Sequence, residues 1–272
     1  MLMHCMHRRR AKSDRKDAID LAAASALGKT RCVHVPAKEL RARGALIEQR
    51  ARAVERGTAL RNEIRSMFQQ SGIPLPAAGK AWTLQGVMTL RERWAKMEEV
   101  HRRRFDIALA ALGATEAEVA SLETMLDEIA KTDPRIALLR TVPGVGARGA
   151  ETVVAWIDDP KRFRNGRQVG CYAGLTPRPN QSGRTDRSGA ISKAGPPRLR
   201  SMLVEVAWMA LRWNEWAREV FRKVCRGLKD RRKRAIVAVA RRLLIRLWAM
   251  LRDGKPWDPD HATPRSAVAA MP

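Results

Sequence analysis

Apolar residues recur along much of this chain at three-, four- and seven-residue steps, the pattern of helices that hide one face from water. An Ala-rich segment, AKSDRKDAIDLAAASALG, comes first, and Ser13 or Asp14 can cap its start. A helix of that length is marginal alone and needs a surface to pack on. RCVHVP follows as a short strand-like piece closed by Pro36. Leu40, Ile47 and Val54 then stand at heptad spacing, with Leu60, Ile64, Met67 and Phe68 on a neighbouring stripe, until Gly72, Pro74 and Pro76 enforce a break. A second run carries Val87, Trp94, Met97, His101, Phe105, Leu109 and Leu112. Gly113-Ala114-Thr115 is expected to interrupt it, with Thr115 and Glu118 forming a capping box for a helix faced by Val119, Leu122, Met125, Leu126 and Ile129. Long helices around a Pro-rich turn predict an antiparallel helical hairpin or coiled coil over 38–131, a surface for nucleic acid or a second subunit.

From Ile136 the elements shorten. Gly and Pro are dense yet bracketed by apolar residues, which predicts a compact domain over 132–258 that holds a loop in place. Helices resume at Pro197 and run, with breaks near Gly227 and Lys229, to about Leu251. The stretch AIVAVARRLLIRLWAML is interrupted by Arg241, Arg242 and Arg246, so it reads as a basic amphipathic helix and not a membrane span. The tail, 259–272, has little to bury and is expected to be flexible.

Charge narrows the function. Lys and Arg number 53 against 28 for Asp and Glu, a formal net charge of +25 in 272 residues. A neutral small-molecule enzyme does not need that excess, whereas a polyanion uses it, because each neutralised phosphate releases counterions. The densest run holds Arg218, Arg222, Lys223 and Arg226, then Lys229, Arg231, Arg232, Lys233 and Arg234, and reads as a groove or phosphate track. Trp208, Trp213, Trp216 and Trp248 could stack on bases, but tryptophans at helical spacing are more often core. Cys5, Cys32, Cys171 and Cys225 show neither zinc-ligand spacing nor a disulfide framework, and the first residues lack the apolar run of a signal peptide. A reducing, cytoplasmic setting with no membrane partner is expected.

Two motifs carry candidate chemistry. In Pro143-Gly144-Val145-Gly146 the glycines allow a tight turn whose following helix start can present backbone N–H groups to a phosphate, flanked by Arg140 and Arg148. This is the pattern of a helix-hairpin-helix element, and it also fits an ordinary inter-helix turn. Around Ser182, glycines alternate with Arg178, Arg184, Arg187 and Lys193 in what is expected to be a loop between helices. A Ser hydroxyl attacks a phosphodiester only if something takes its proton and cations steady the transition state. On composition alone a plain phosphate-binding loop fits better.

A resemblance then changes the balance. Pro143 to Gly146, Phe163-Arg164-Asn165, Gln168, Tyr172-Ala173, Gly174 to Arg178, Ser182-Gly183, Ile191 to Gly195, Leu199-Arg200 and the closing Gly254 to Asp258 occur in this order. The set resembles the C-terminal domain of a family of insertion-sequence transposases. That family pairs a RuvC-like nuclease domain bearing four acidic residues with a serine recombinase-like domain, and a structured bridge RNA guides it. The resemblance implies that Ser182 attacks DNA to form a phosphoserine link, and that Arg200 belongs to the nucleic-acid-binding surface. It further implies duplex DNA and a guide RNA as partners and a homo-oligomer in the active complex.

Asp14 and Asp17 stand three residues apart on one helix face. Alone, such a pair is common on solvated helices; it resembles the family's K-T-D-x-x-D-A pattern, which supplies the last two of the four acids and so implies Mg²⁺ ligands. The other two have no counterpart among the thirteen residues before Asp14, so the Mg²⁺ site is expected to be incomplete in this chain. The overall expectation is a mainly α protein. It comprises a C-terminal remnant of a RuvC-like α/β domain (1–37), the helical hairpin (38–131), a serine transposase domain with its helix-hairpin-helix element and serine loop (132–258), and the tail. The competing expectation is a truncated, non-catalytic DNA- or RNA-binding remnant.

Overall fold

The computed structural model describes residues 13–30, 34–76, 80–182 and 185–260, with only the backbone of 179–182 and 185–188. The chain divides into two compact units, Met1–Ala37 and Lys38–Pro272.

In the first unit, α1 (Asp14–Ala26) buries none of its residues. Ser13 stands at the N-cap without a side-chain hydrogen bond, and Asp14 and Asp17 occupy the first turn, where carboxylates suit the positive end of the helix. The strand expected in RCVHVP is not formed by its described residues, His34 to Pro36, which take no regular structure. Residues 31–33 lie outside the described part.

The second unit begins with a helical hairpin. α2 (Lys38–Gln70) and α4 (Glu99–Thr132) pack side by side, each about 50 Å long at 1.5 Å per residue. Arg43 pairs with Asp133, Arg50 with Glu123, Arg56 with Glu118 and Arg61 with Glu116, so the two helices run antiparallel. The run expected to be one helix from Val87 to Leu112 is instead α3 (Leu84–Trp94), a break, and α4. α3 is capped by Thr83, whose hydroxyl accepts from the Gly86 amide at 3.1 Å. It closes the far end of the hairpin over a core of Ile64, Phe68, Leu90, Trp94, Phe105 and Leu112. Phe68, Trp94 and Phe105 stack with ring centroids 4.7–5.7 Å apart.

Two expectations fail here for physical reasons. Val54 falls on the solvent side, 39% exposed, while Ile47 is buried, because a straight α-helix drifts off a strict heptad. Gly113 and Thr115 do not interrupt α4. The Thr115 hydroxyl donates back to the Ala111 carbonyl at 2.8 Å instead of capping a new helix, and its methyl packs against Gly57 of α2.

The remaining elements are α5 (Pro134–Arg140), α6 (Ala147–Ile157), α7 (Gly166–Tyr172), β1 (Pro177–Ser182), β2 (Thr185–Ile191), α8 (Pro197–Trp213), α9 (Glu215–Cys225) and α10 (Arg232–Asp253). The break before α9 was not expected; Asn214 makes it, capping α9 through the Ala217 amide. α10 is the central helix and touches α5 through α9. The segment read as basic and amphipathic packs its apolar face into the core, with Ile236, Val239, Leu243, Leu244, Leu247 and Trp248 buried, while Arg242 stays exposed. One of its arginines is absorbed: Arg246 lies between the Trp216 and Trp257 rings, 4.6 and 4.8 Å from their centroids, and donates to the Asp258 carbonyl. The Gly254–Asp258 segment is thus tied down by Trp257, whose amide also donates to Thr141. Residues 261–272 of the tail lie outside the described part.

Candidate nucleic-acid interface at the serine hairpin

The region around Ser182 is not a loop but an antiparallel two-stranded ribbon. Pro177 pairs with Ile191 at its root, Asn180 with Arg187, and Ser182 with Thr185 at its end. Gly183 and Arg184, which join the strands, lie outside the described residues. The loop expectation failed because Pro, Asn, Gly and Ser hide strand alternation, and backbone pairing supplies what side-chain periodicity lacks.

The root is clamped. Gly174 has φ +67° and Gly195 φ +83°, and a Cβ at either would meet a backbone oxygen at about 2 Å: Ala194 O for Gly174, Tyr172 O for Gly195. Only glycine permits both the left-handed turn and that approach. The Ser192 amide donates to Thr176 O at 2.8 Å and the Lys193 amide to Gly174 O at 3.1 Å, extending the ribbon's ladder into the root. Arg200 donates to the Ala173 and Ala194 carbonyls, and Arg178 grips Ser192 O through Nε and Nη2.

α7 is fixed in turn. The Asn165 side chain accepts from the Gln168 amide at 3.0 Å, and the Gln168 side chain accepts from the Arg164 amide at 2.8 Å, a reciprocal cap. The Tyr172 hydroxyl donates to Trp156 O, and Arg162 lies over the Phe163 and Tyr172 rings. Many of the motif residues singled out in the sequence therefore build the frame that holds the ribbon.

The glycine turn behaves differently from expectation in one half. Gly144, φ +93°, faces α8, where a Cβ would lie 2.6 Å from the Ala210 Cα, whereas Gly146 has open space and caps α6. Arg140 is exposed at the end of α5. Arg148 is held by Asp127 and by Glu151, 3.1 Å away. Burial pushes the Glu151 carboxyl up to about 7 against the pull of Arg148, and neither of its oxygens receives a hydrogen bond. Sequence reasoning passed over Glu151; only its place on the apolar face of α6 hinted at burial.

Lys193 is exposed in a left-handed turn, φ 54°. Arg187 is placed by its backbone alone. In the basic run, Arg218 and Arg222 pair with Glu215 and Lys223 with Glu219. Arg232, Lys233 and Arg234 open α10 fully exposed, Arg231 is half-buried before them, and no carboxylate among the described residues bonds to any of the four. Trp248 is core and donates to Pro160 O, while Trp213 is 67% exposed.

Asp14 and Asp17 lie one turn apart on α1, both exposed. Among the described residues no three His, Cys, Asp or Glu side chains converge on a point. Two carboxylates from one turn are a short donor set for a cation that favours octahedral oxygen ligation. The described residues do not by themselves fit Mg²⁺.

A family model described as "Transposase IS116/IS110/IS902 family" matches residues 136–222, from α5 through the ribbon into α9. A Pseudomonas aeruginosa protein named "Probable family 20 transposase" is 32% identical over 247 residues, 88% of this chain and 72% of that protein. The chain belongs to this family of transposases. The transposase for insertion sequence element IS1111A of Coxiella burnetii is 29% identical over 242 residues, covering 88% of this chain and 66% of its own. The pilin gene-inverting protein of Moraxella lacunata is 31% identical over 125 residues, 46% of this transposase and 39% of that protein. No helix among the described residues of the transposase is long and apolar enough to cross a membrane.

Proposed function

We propose that this transposase recombines DNA by serine transesterification, with Ser182 as nucleophile. The observation that carries the reading is the clamped ribbon: it ends its described pairing at Ser182 and is braced at its root by Gly174, Gly195 and Arg200. A clamped root fixes the backbone that carries Ser182, and fixing one reactant relative to another is where much of a transfer reaction's barrier is lowered. The bond from Ser182 Oγ to phosphorus forms as a phosphorus–deoxyribose oxygen bond breaks, and the serine proton ends on the leaving oxygen. A hydroxyl of a second strand then attacks the phosphoserine and releases the serine, so the bond count is conserved and no external energy source enters.

The net charge of +25 supports a polyanionic substrate. Candidate DNA contacts are Lys193 and Arg187 by their place along the ribbon, with Arg140, the Gly146 helix start and Arg231 to Arg234 as flanking backbone contacts; the resemblance adds Arg184, which lies outside the described residues. Such contacts position a strand and carry no base sequence. The resemblance in the serine domain extends the proposal to a structured guide RNA and more than one copy, since two duplexes must meet.

The test is incubation of the protein with its element's DNA and RNA, followed by denaturing electrophoresis. A covalent protein–DNA species is expected, and it should vanish in Ser182→Ala with duplex binding retained. A folded wild-type protein that binds DNA without forming the species contradicts the reading.

A further inference from the structure

Beneath the ribbon's root, α7, the start of β1, Ser192 and α10 enclose an open groove of about 750 Å³. Three arginines from separate elements line it, Arg167, Arg178 and Arg241, with Thr176, Ser192 and Cys171, and none of its lining residues is acidic. Other cations drawn into the fold have partners: Arg148 has carboxylates, Arg200 carbonyls and Arg246 two rings. Arg241 differs. Its stem lies across Gly170, where a Cβ would meet Arg241 Cγ at 3.4 Å, and its Nε is buried with no hydrogen-bond partner. A buried, unsatisfied guanidinium nitrogen is costly unless something fills the space it faces.

We propose that this groove binds one backbone phosphate of the DNA strand that the ribbon engages, shared by Arg167, Arg178 and Arg241; this rests on the reading of the Ser182 ribbon as the DNA-engaging element. Arginines that line one groove from three elements suit a phosphodiester, whose oxygens take forked N–H donors. The groove opens to the surface, where a strand can reach it, and Ile245 and Pro177 offer apolar wall to the sugar. Arg178 belongs to both groove and ribbon, because it lines the groove and also holds Ser192 O at the ribbon's root. Five residue steps lead from Pro177 at the root to Ser182, ~17 Å of strand at 3.3–3.4 Å each. The phosphate held in the groove then lies on the order of five base steps of 3.4 Å from the bond that Ser182 attacks.

The experiment uses the full chain in a Ser182→Ala background, so that it is independent of strand transfer. Duplex affinity is measured across NaCl concentration for the parent and for Arg167→Ala/Arg241→Met. Loss of one shared phosphate lowers the slope of log K on log[NaCl] by about 0.9. An unchanged slope overturns the site, and a drop of about 1.8 overturns the sharing, since two independent phosphates would have been lost. Arg241→Lys, which keeps the stem over Gly170 and the charge, is expected to keep the parental slope, and a slope equal to that of the double variant would indicate lost packing and overturn the assignment. As a second readout, alkylation of Cys171, followed by peptide mass spectrometry, should slow at least tenfold under saturating duplex. Bound duplex that leaves Cys171 as reactive as before, or protection by structured RNA alone, overturns it. Groove protection without any adduct from the Ser182-bearing protein would instead fault the strand-transfer reading and leave the phosphate site standing.

Discussion

Gly195 shows what one residue controls in this transposase. Its φ of +83° and the 1.9 Å that would separate a Cβ from Tyr172 O leave no side chain a place. Gly195→Ala is therefore expected to cost about 2–4 kcal/mol in urea unfolding and to abolish adduct formation, because ribbon and α7 must part to admit the methyl. Glu151 acts through protonation. With its folded pKa raised from 4.5 to about 7, the charged form is disfavoured in the fold, so its contribution to stability falls as pH rises from about 4.5 to about 7 and is level beyond. Glu151→Gln should raise the melting temperature at pH 8 by a few degrees and leave it nearly unchanged at pH 4. Loss of stability at pH 8 would show that the carboxylate's attraction to Arg148 outweighs its burial. The sequence made Gly144, Arg148 and Arg200 visible as residues of interest. It offered no view of Ala210, Asp127 or the Ala173 carbonyl, the partners that turn them to structural work, because those contacts join segments far apart in the chain.

At the scale of elements, periodicity located the helices and misjudged their joints. α2 and α4 were legible from their stripes, since each buries one face along its length. Gly113 looked like a break because glycine is a poor helix former, yet packing of Leu112 and Thr115 on α2 overrides that preference. The space beside Gly113 is open, and a Cβ added there would meet no atom within 4 Å. Gly113→Ala should consequently stabilise the hairpin by about 1 kcal/mol, read as a higher urea midpoint at unchanged slope; destabilisation would mean that the helix bends there. The ribbon was illegible because its register rests on backbone pairing, and the apolar face of α10 was legible while the rings and carbonyl that hold Arg246 were not, because they are supplied from elsewhere in the chain.

For the whole molecule, the charge and the ordered serine-domain motifs pointed to a DNA transposase, and the family follows from 32% identity across most of the chain. The motifs work as a scaffold: Asn165 and Gln168 cap α7, Tyr172 and Arg162 pin it, and Gly174, Gly195 and Arg200 lock it to the ribbon. Lysine and arginine in excess give the whole chain a net charge of +25, which favours association with a polyanion. The measurement that bears most directly on this account is peptide mapping of the covalent protein–DNA species after nuclease digestion. The nucleotide remnant is expected on the hydroxyl of Ser182; a remnant on any other side chain would contradict the account.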